Sequence, residues 1–427
     1  MDPDTTIVAL SSGAPPAAIG VIRVSGPAAG PAIEALVGRP TPARRPSLVR
    51  LRDAAGALLD EALVLWFPGP KTATGEDLAE FHCHGGRAVV EAVQRALTAL
   101  PNIRLAEAGE FTRRSFANGR MDLAEAEGLA DLLSAETEMQ RAAALASAQG
   151  GLSAKVGEWR EAVLKLSAQV EAALDFSDED DVDELPEGFT WNIGQLSDSL
   201  AQWLERPRAE KLGEGYRVAL AGPPNVGKST LFNALVESEA AITSPIAGTT
   251  RDVIERSVGI SGVPFSFVDT AGLRDGSEDA IEKIGIDRAQ AELERADLVL
   301  WLGPEGEGPE GAWEIAAQSD TPDFIPKASA RFTLSAITGG GVAELKRALV
   351  ESARGALPKP GEVALNARQH RLLEQAHTAL LSASQSSDLL LIGEDLRTVR
   401  LSFDRLIGKT TTEDMLDALF GRFCIGK

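Results

Sequence analysis

The sequence predicts a multidomain α+β and α/β protein. An N-terminal α+β domain precedes a helical domain, into which an α/β domain with a phosphate-binding loop is inserted. Three observations lead to this prediction. The 427 residues exceed the ~250–300 that one hydrophobic core usually serves. The residue pattern along the chain changes three times between strand-like and helix-like. A glycine-rich loop ends in Lys-Ser. The predicted parts are residues 1–118, 119–210, 211–355 and 356–427.

The N-terminal part has the pattern of short strands. Its runs TIVAL, IGVIRVSG and EALVLWFPGP are rich in Ile, Val and Leu, and Gly or Pro bounds most of them. From Met121 the chain is rich in Ala, Leu and Glu with apolar residues at three-to-four spacing, which predicts long helices. The acidic stretch DFSDEDDVDELPEG that follows lacks the spacing of a calcium loop. We therefore interpret it as a solvated connector.

A third type of residue pattern begins near Gly215. Strand-like runs such as YRVALAG alternate with helical segments to about residue 355, which favours a mostly parallel sheet covered by helices. After LPKPGE the helical pattern returns in NARQHRLLEQAHTALLSASQ and continues to the end. The α/β part is therefore predicted to be an insertion, and the helical stretches on its two sides are expected to pack together.

The composition indicates a cytoplasmic protein without a membrane segment. The two cysteines, Cys83 and Cys424, cannot build a disulfide framework, so we expect a reducing compartment. The N-terminus lacks a secretory pattern, and apolar runs such as LVLWL are too short to span a bilayer. The 63 acidic and 42 basic residues give a net charge of −21. Any contact with RNA must therefore be local or supplied by a partner.

The segment GPPNVGKST matches the phosphate-loop pattern G-x-x-x-x-G-K-[ST] through Gly222, Gly227, Lys228 and Ser229. A strand-like run precedes it and the helix-like TLFNALV follows, which is the context that such a loop needs. Its backbone N–H groups and the helix N-terminus are suited to hold a triphosphate. Lys228 is predicted to reach the β- and γ-phosphates, and Ser229 to bind Mg²⁺.

Two later segments stand where a GTPase needs them. SPIAGTTRD supplies Thr249 and Thr250, which are predicted to sense the γ-phosphate and complete the Mg²⁺ shell. FSFVDTAGL supplies Asp269, predicted to hold Mg²⁺ through water, and Gly272, whose N–H is predicted to meet the γ-phosphate. Three motifs in the right order indicate a nucleoside triphosphatase of the GTPase type.

Two catalytic roles have no obvious residue in these motifs. The residue after DTAG is Leu273, and a leucine cannot orient the attacking water as a glutamine would. Another group must do so. No arginine finger is evident, although Arg251 and Arg274 are candidates.

The base-reading pattern Asn-Lys-x-Asp is absent. After ADLVLWLG the chain offers only AAQSDTPDF, in which Asp320 and Asp323 are candidate substitutes. The later segment LSAITGGG resembles the loop that backs the guanine, through Ser335, Ala336 and Ile337. Guanine is favoured over adenine, and an ATPase is left as an alternative.

The motifs, together with segments at both ends of the chain, resemble the MnmE (TrmE) family of tRNA-modification GTPases. The matching segments are DTTIVAL, GVIRVSG, GEDLAEFHCHGG, GEFTRRSFANGRMDLAEAE, the nucleotide motifs, GEDLR, TTEDMLDALF and the terminal FCIGK. The resemblance covers the whole length. It implies a homodimer whose N-terminal domain binds a tetrahydrofolate derivative, in its 5,10-methylene or 5-formyl form, and whose helical domain carries a Ras-like P-loop GTPase domain.

The resemblance also implies a function. With a flavin-dependent partner of the MnmG (GidA) type, in a heterotetramer or larger assembly, the dimer would add a carboxymethylaminomethyl group to C5 of the wobble uridine of certain tRNAs. GTP would be the substrate of hydrolysis, K⁺ and Mg²⁺ the cofactors, and the folate the one-carbon donor. The alternative is a regulatory or ribosome-assembly GTPase without modification chemistry, which would leave the folate-type residues unexplained.

The nucleotide and cation sites implied by the resemblance are carried over position by position. GTP is assigned to Asn225, Val226, Gly227, Lys228, Ser229, Thr230, Ser244, Pro245, Ile246, Ala247, Gly248, Thr249, Thr250, Asp269, Thr270, Ala271, Gly272, Ser335, Ala336 and Ile337. In this family K⁺ replaces an arginine finger, and its implied ligands are Asn225, Ser244, Ile246 and Thr249, with Mg²⁺ on Ser229 and Thr250. Glu282 in AIEKIGIDRA matches the glutamate that orients the attacking water, and the implied catalytic set is Glu282, Lys228 and Cys424.

The implied folate residues are Arg23, Glu80, Arg120 and Lys427. Arginine and lysine suit the carboxylates of the glutamate tail, and Glu80 suits the N–H edge of the pterin. The neighbouring HCHGG is interpreted as structural or substrate-lining rather than as a metal site, because three adjacent positions do not easily face one ion.

The terminal cysteine is open to three interpretations. As a lipidation signal FCIGK is poor, because Gly426 stands where an aliphatic residue belongs and no polybasic segment precedes it. A buried structural thiol is the usual state of a free cysteine. The resemblance implies the third interpretation, in which Cys424 and Lys427 lie beside the folate and the modification site.

Overall fold

The structure is a computed structural model, which describes residues 4–175, 185–237, 240–241, 254–269, 290–322, 324–410 and 412–427. In these ranges the strands are β1 (Thr6–Leu10), β2 (Ile19–Ser25), β3 (Ser47–Arg52), β4 (Leu58–Phe67), β5 (Leu78–His84), β6 (Ile103–Leu105), β7 (Tyr216–Ala221), β8 (Ala240–Ala241), β9 (Ile254–Ile260), β10 (Val263–Asp269), β11 (Leu298–Trp301), β12 (Trp313–Ala316) and β13 (Phe332–Thr333). The helices are α1 (Ala29–Val37), α2 (Arg87–Thr98), α3 (Glu110–Ala117), α4 (Leu123–Ser134), α5 (Glu138–Ala148), α6 (Gly151–Asp175), α7 (Phe189–Leu204), α8 (Ala209–Glu214), α9 (Lys228–Val236), α10 (Val342–Ala356), α11 (Ala367–Gln385), α12 (Leu389–Leu406) and α13 (Glu413–Phe420).

The chain packs as two compact units. The first contains the residues up to Ala130 together with Phe403–Lys427, and the second contains Asp131–Ser402. The predicted fold class, with α+β, helical and α/β parts, is confirmed. The three boundaries between the four predicted parts stay a prediction. Within the described ranges, no helix combines the length and the apolar character that crossing a membrane requires.

The first unit is built on a six-stranded sheet in the order β3-β4-β5-β2-β1-β6. The pairs are antiparallel except β1 with β6. Because side chains alternate along a strand, Val8 of β1 joins the core that α1 and α2 help to form, whereas Ile7 and Ala9 pack with Phe111 of α3. Both faces of β1 are therefore buried, which explains why TIVAL is apolar at nearly every position.

The C-terminal tail after α13 lies against the end of β1. Ala108 and Ile425 form an isolated antiparallel bridge, and the Ser11 hydroxyl donates to the carbonyl of Gly426 over 2.8 Å. Gly426 has a φ of 95°, and a Cβ at this position would collide with the carbonyl oxygen of Leu10. Glycine is required here both for its backbone conformation and for the close approach.

The second unit contains a seven-stranded sheet in the order β13-β12-β11-β7-β10-β9-β8, among the described residues. From β13 to β10 the neighbouring strands are parallel, and β9 is antiparallel to both β10 and β8. Every residue of β10 is buried, as a strand covered on both faces requires. The carboxyl ends of β7 and β10 therefore meet at one edge of the sheet, where ligand sites of such folds lie.

Helices from both sides of the α/β segment belong to this second unit. α5 begins with a capping box formed by Thr137 and Gln140. The Met139 N–H donates to the carbonyl of Gly262 in the turn between β9 and β10, and the Met139 side chain joins the α/β core. Farther along the chain, α11 packs against α7. The helical stretches before and after the α/β segment thus contact each other.

The tight packing around Gly426 leads to a stability prediction. Gly426→Ala should loosen the tail, because the new methyl group strains a positive φ and meets the Leu10 carbonyl oxygen. A cost of about 1–3 kcal/mol corresponds to amide exchange of the tail residues that is about 5- to 150-fold faster, which hydrogen–deuterium exchange measures. Gly13→Ala is the matched control in the same unit, since no neighbouring atom lies within 4 Å of that position. Unchanged protection of the tail in Gly426→Ala would contradict this account.

Candidate functional site

The loop of residues 222–227 joins β7 to α9 and has the backbone shape of a phosphate-binding loop. Gly222 and Gly227 have φ values of 143° and 94°, and Asn225 has a φ of 65° although it carries a side chain. A Cβ on Gly222 would lie 2.8 Å from the backbone nitrogen of Gly303. The loop therefore depends on glycine where it turns and where it meets the neighbouring chain.

Lys228 opens α9 from a buried position. Its side chain is only 5% exposed, and its ammonium donates to the carbonyls of Gly222 at 2.8 Å and Pro223 at 2.7 Å. These bonds hold the positive charge inside the curve of the loop. The first N–H groups of α9 lack acceptors within the helix and point the same way. The arrangement is a concentrated positive site, and it suits a phosphate chain.

Ser229 and Asp269 come together at the same sheet edge. Asp269 is the last residue of β10, pairs in register with Leu220 of β7, and is 1% exposed. The Ser229 hydroxyl donates to Asp269 Oδ2 over 2.6 Å. A hydroxyl and a carboxylate side by side are the hard oxygen ligands that Mg²⁺ prefers. The donor set therefore fits the predicted Mg²⁺ site, although Thr250 lies outside the described residues.

A cavity lies beside the loop. Its lining comes from the loop, α9 and the segments after β12 and β13: Gly227, Thr230, Leu231, Ala317, Gln318, Asp320, Leu334, Ala336 and Ile337. Ser335 is buried, and its hydroxyl accepts the N–H of Thr338 at 3.1 Å, which shapes the turn that carries Ala336 and Ile337. The structure thus brings Asp320 together with two residues of the predicted base-backing loop. The other candidate, Asp323, lies outside the described residues.

Sequence analysis does not single out Gln318, which also lines this cavity. Its side-chain Nε2 donates to the backbone carbonyl of Asn225 over 3.2 Å. The signal that could have identified it is its position, because it stands two residues before Asp320, where Asn-Lys-x-Asp has its lysine.

Several predicted nucleotide and catalytic residues lie outside the described part of the chain. They are Ser244, Pro245, Ile246, Ala247, Gly248, Thr249, Thr250, Thr270, Ala271, Gly272 and Glu282, with the finger candidates Arg251 and Arg274 and the neighbouring Leu273. Their roles stay predictions. Of the predicted K⁺ ligands, Asn225 is described, and it is exposed.

In the first unit, Arg23 and Glu80 face each other across β2 and β5. They are register partners, and the Arg23 guanidinium donates to Glu80 Oε1 from Nε at 3.1 Å and Nη2 at 2.8 Å. His82 contacts the other oxygen of Glu80 at 3.2 Å. Burial raises the pKa of the Glu80 carboxyl, but the bonds with Arg23 and His82 outweigh it, so that its pKa lies below the ordinary value. Glu80 is therefore an anion at neutral pH.

The other predicted folate residues lie elsewhere in the same unit. Arg120 donates from Nε to the carbonyl of Thr72 over 3.2 Å. In the tail, the Lys427 N–H donates to the carbonyl of Cys424 over 3.2 Å, and the Cys424 side chain is exposed. The structure thus joins Arg23 to Glu80 directly, whereas Arg120 is bound to the segment before β5.

The two cysteines differ in environment. Cys83 is 2% exposed and lies on the core face of β5, opposite to His82 and His84. Burial, with a smaller contribution from Asp60, raises the pKa of the Cys83 thiol to about 12. In HCHGG the strand alternation therefore separates the sulfur from both imidazoles, which agrees with a structural interpretation. Cys424, unlike Cys83, is open to solvent, so of the three interpretations the one that makes it a buried thiol is wrong.

Comparisons with known proteins match both units. The family model described as the GTP-binding protein TrmE N-terminus matches residues 6–120, and the model of the MnmE helical domain matches residues 123–424. The tRNA modification GTPase MnmE of Erythrobacter litoralis is 64% identical over 422 residues, which cover 99% of this chain and 100% of the relative. The protein of the same name from Novosphingobium aromaticivorans is 60% identical over 434 residues, covering 99% of each chain.

Among solved structures, the G domain of the T. maritima FeoB iron transporter is 28% identical and covers 32% of this chain and 98% of its own, with a TM-score of 0.24. The assignment rests on the domain models and the full-length relatives. The chain belongs to the MnmE family of tRNA modification GTPases.

Proposed function

We propose that this chain is the K⁺-dependent, GTP-hydrolysing component of the system that adds a carboxymethylaminomethyl group to C5 of the wobble uridine of certain tRNAs. The observation that carries the proposal is the phosphate loop with its buried Lys228 and adjoining Ser229–Asp269 pair, in a member of this family. The relatives' name supports tRNA as the object of the modification. The folate donor follows from the resemblance in residues Arg23, Glu80, Arg120 and Lys427.

The described part of the nucleotide site acts mainly by electrostatics and position. The ammonium of Lys228 and the N–H groups at the start of α9 offset the negative charge of the triphosphate. Ser229 and Asp269 would hold Mg²⁺ together with Thr250, and that ion would neutralise charge on the phosphate oxygens. K⁺ would be held by the side-chain amide of the exposed Asn225. Its further proposed ligands, Ser244, Ile246 and Thr249, lie outside the described residues.

The base is proposed to bind in the cavity that Asp320 shares with Ala336 and Ile337. An ionised carboxylate accepts two hydrogen bonds and donates none. It therefore suits guanine, which offers N1–H and the exocyclic amino group on one edge, and it disfavours adenine, whose N1 is an acceptor. Asp320 is thus our choice between the two aspartates that the sequence left open.

The assignment of Asp320 predicts a change of base preference. Asp320→Asn should weaken GTP binding by about 100-fold or more, because a carboxylate that accepts two bonds is replaced by an amide that repels one of the donors. Xanthosine triphosphate, which has a carbonyl in place of the amino group, should gain affinity. Competition of GTP, ATP and xanthosine triphosphate against a fluorescent GDP analogue measures both effects. Unchanged preference in Asp320→Asn would show that another group reads the base, and tight ATP binding by the original chain would favour the ATPase alternative.

The proposed catalytic step leads to a prediction about the cation and the water. Hydrolysis of GTP should be faster in K⁺ than in Na⁺, because a K⁺ ion held by Asn225 would offset transition-state charge.

Glu282→Ala should lower kcat by about 100-fold or more in K⁺, with nucleotide affinity unchanged, since Glu282 is proposed to act on water. Glu351→Ala, an exposed position on α10, is the control. Equal rates in the two salts would refute the K⁺ role, and full activity of Glu282→Ala would refute the water role.

The second proposed site lies in the first unit. Arg23 and Glu80 present a cation and an anion side by side, with side chains 26% and 16% exposed, so a polar ligand can still reach them. These charges suit the carboxylate tail and the N–H edge of a tetrahydrofolate derivative, which would supply a one-carbon unit there. Arg120 and Lys427 are the further proposed ligands. We propose that the dimeric chain works in the cytoplasm with a flavin-dependent protein of the MnmG type and tRNA.

The proposed chemical role of Cys424 predicts a separation of activities. Cys424→Ser should abolish the modification, because a hydroxyl is a far weaker nucleophile than a thiol, and should leave GTP hydrolysis unchanged. Mass spectrometry of wobble nucleosides and a hydrolysis assay measure the two effects. Thiol titration of the native protein is the control: one thiol should react in the original chain and none in the variant, since Cys83 is buried. Normal modification in cells that carry Cys424→Ser would contradict a chemical role.

A further inference from the structure

We infer that Gln318 is a positioning residue for nucleotide binding, and that its side-chain amide joins the base-reading segment to the phosphate loop. The inference rests on the proposed function, in which residues 222–227 hold the phosphates and Asp320 reads the base. It concerns a residue that departs from Asn-Lys-x-Asp, because a neutral glutamine stands two residues before the aspartate.

The contact between the two segments is direct. Gln318 Nε2 donates to the backbone carbonyl of Asn225 over 3.2 Å, across 93 residues of sequence. The same side chain lies along the loop, since a Cβ on Gly227 would be 3.4 Å from Nε2 and 3.5 Å from Cγ of Gln318. The Gln318 side chain therefore packs against the loop at Gly227 as well as bonding to it at Asn225.

The backbone on both sides of this bond has an uncommon conformation. Gln318 has a φ of 60° and Asn225 a φ of 65°, values that residues with a side chain seldom adopt. The Gln318 carbonyl accepts the N–H of Thr321 at 3.0 Å and its hydroxyl at 2.9 Å. A turn thus holds Gln318 in place from behind while its side chain reaches the loop. Strained backbone persists where several interactions determine it together, and such positions cluster at binding sites.

The bond between Gln318 and Asn225 affects the distance between the proposed base site and the proposed phosphate site. Asp320 and Ala336 line the base cavity, whereas Asn225 belongs to the loop proposed for the phosphates. A bond from Gln318 to Asn225 sets the spacing of these halves before the nucleotide arrives. Such preorganisation improves affinity by lowering the ordering cost of binding. The Gln318 amide bonds to the backbone carbonyl of Asn225 and not to its side chain, which is the proposed K⁺ ligand. We therefore expect the bond to act on KM and to leave kcat within about twofold.

The test compares three variants of the full-length chain. Gln318→Met keeps the length of the side chain and removes its donor, so the Kd for a fluorescent GDP analogue and the KM for GTP should rise about 3- to 10-fold, as expected for one neutral hydrogen bond. The kcat should stay within about twofold. Gln318→Lys should restore KM, because an ammonium on a longer stem can donate to the same carbonyl. Gln375→Met, on the exposed face of α11, is the matched control and should behave like the original chain.

The outcomes separate this inference from the function on which it rests. If Gln318→Met binds GDP as tightly as the original chain, or if Gln318→Lys is no better than Gln318→Met, the positioning role is wrong. An equal loss of kcat would also overturn it, since that would indicate an effect on the chemical step. If the original chain does not hydrolyse GTP at all, the proposed function fails instead. Should Gln318→Met fold poorly by circular dichroism, Gln318→Ala provides the same comparison.

Discussion

The hydrogen bond between Ser229 and Asp269 is the contact on which the geometry of the phosphate site depends. It joins the start of α9 to the last residue of β10, and it depends on β7 and β10 being parallel neighbours in register. Asp269 is buried there, and a buried carboxylate needs partners because its desolvation is costly. The Ser229 hydroxyl therefore satisfies a buried carboxylate of the sheet and also belongs to the proposed ligand site.

A comparable constraint operates in the first unit. The Arg114 guanidinium is 3% exposed and bonds to Glu76 at 3.0 Å and to Glu110 at 3.2 Å. Glu76 also accepts the hydroxyl of Ser25 at the end of β2. Removing one member of such a network would leave an uncompensated buried charge, which is more damaging than the bond itself is stabilising. The network fixes α3 and the segment before β5 against the sheet that carries Arg23 and Glu80.

The segment FTRRSF illustrates how far sequence reasoning reaches. Arginine side chains mostly lie at the protein surface, so composition alone does not distinguish Arg113 from Arg114. Arg113 is half-buried and pairs with the exposed Glu413 and Asp417, whereas Arg114 is fully buried in the network just described. Adjacent positions on a helix point in different directions, and which of them faces the interior depends on partners 38 residues away in the chain, such as Glu76. The sequence around Arg114 does not indicate such distant partners.

By itself the sequence determined the elements and the phosphate loop, because Gly222, Gly227 and Lys228 form one continuous motif whose geometry is local. Strand runs such as TIVAL and FSFVD were equally evident, since burial on both faces needs unbroken apolar residues. Only the tertiary structure decided that Asp320 lines a cavity, that Gln318 reaches Asn225, and that the tail lies against β1. The last two contacts join residues that are 93 and 415 positions apart. Their physical cause is the order and register of strands, which no single segment of sequence contains.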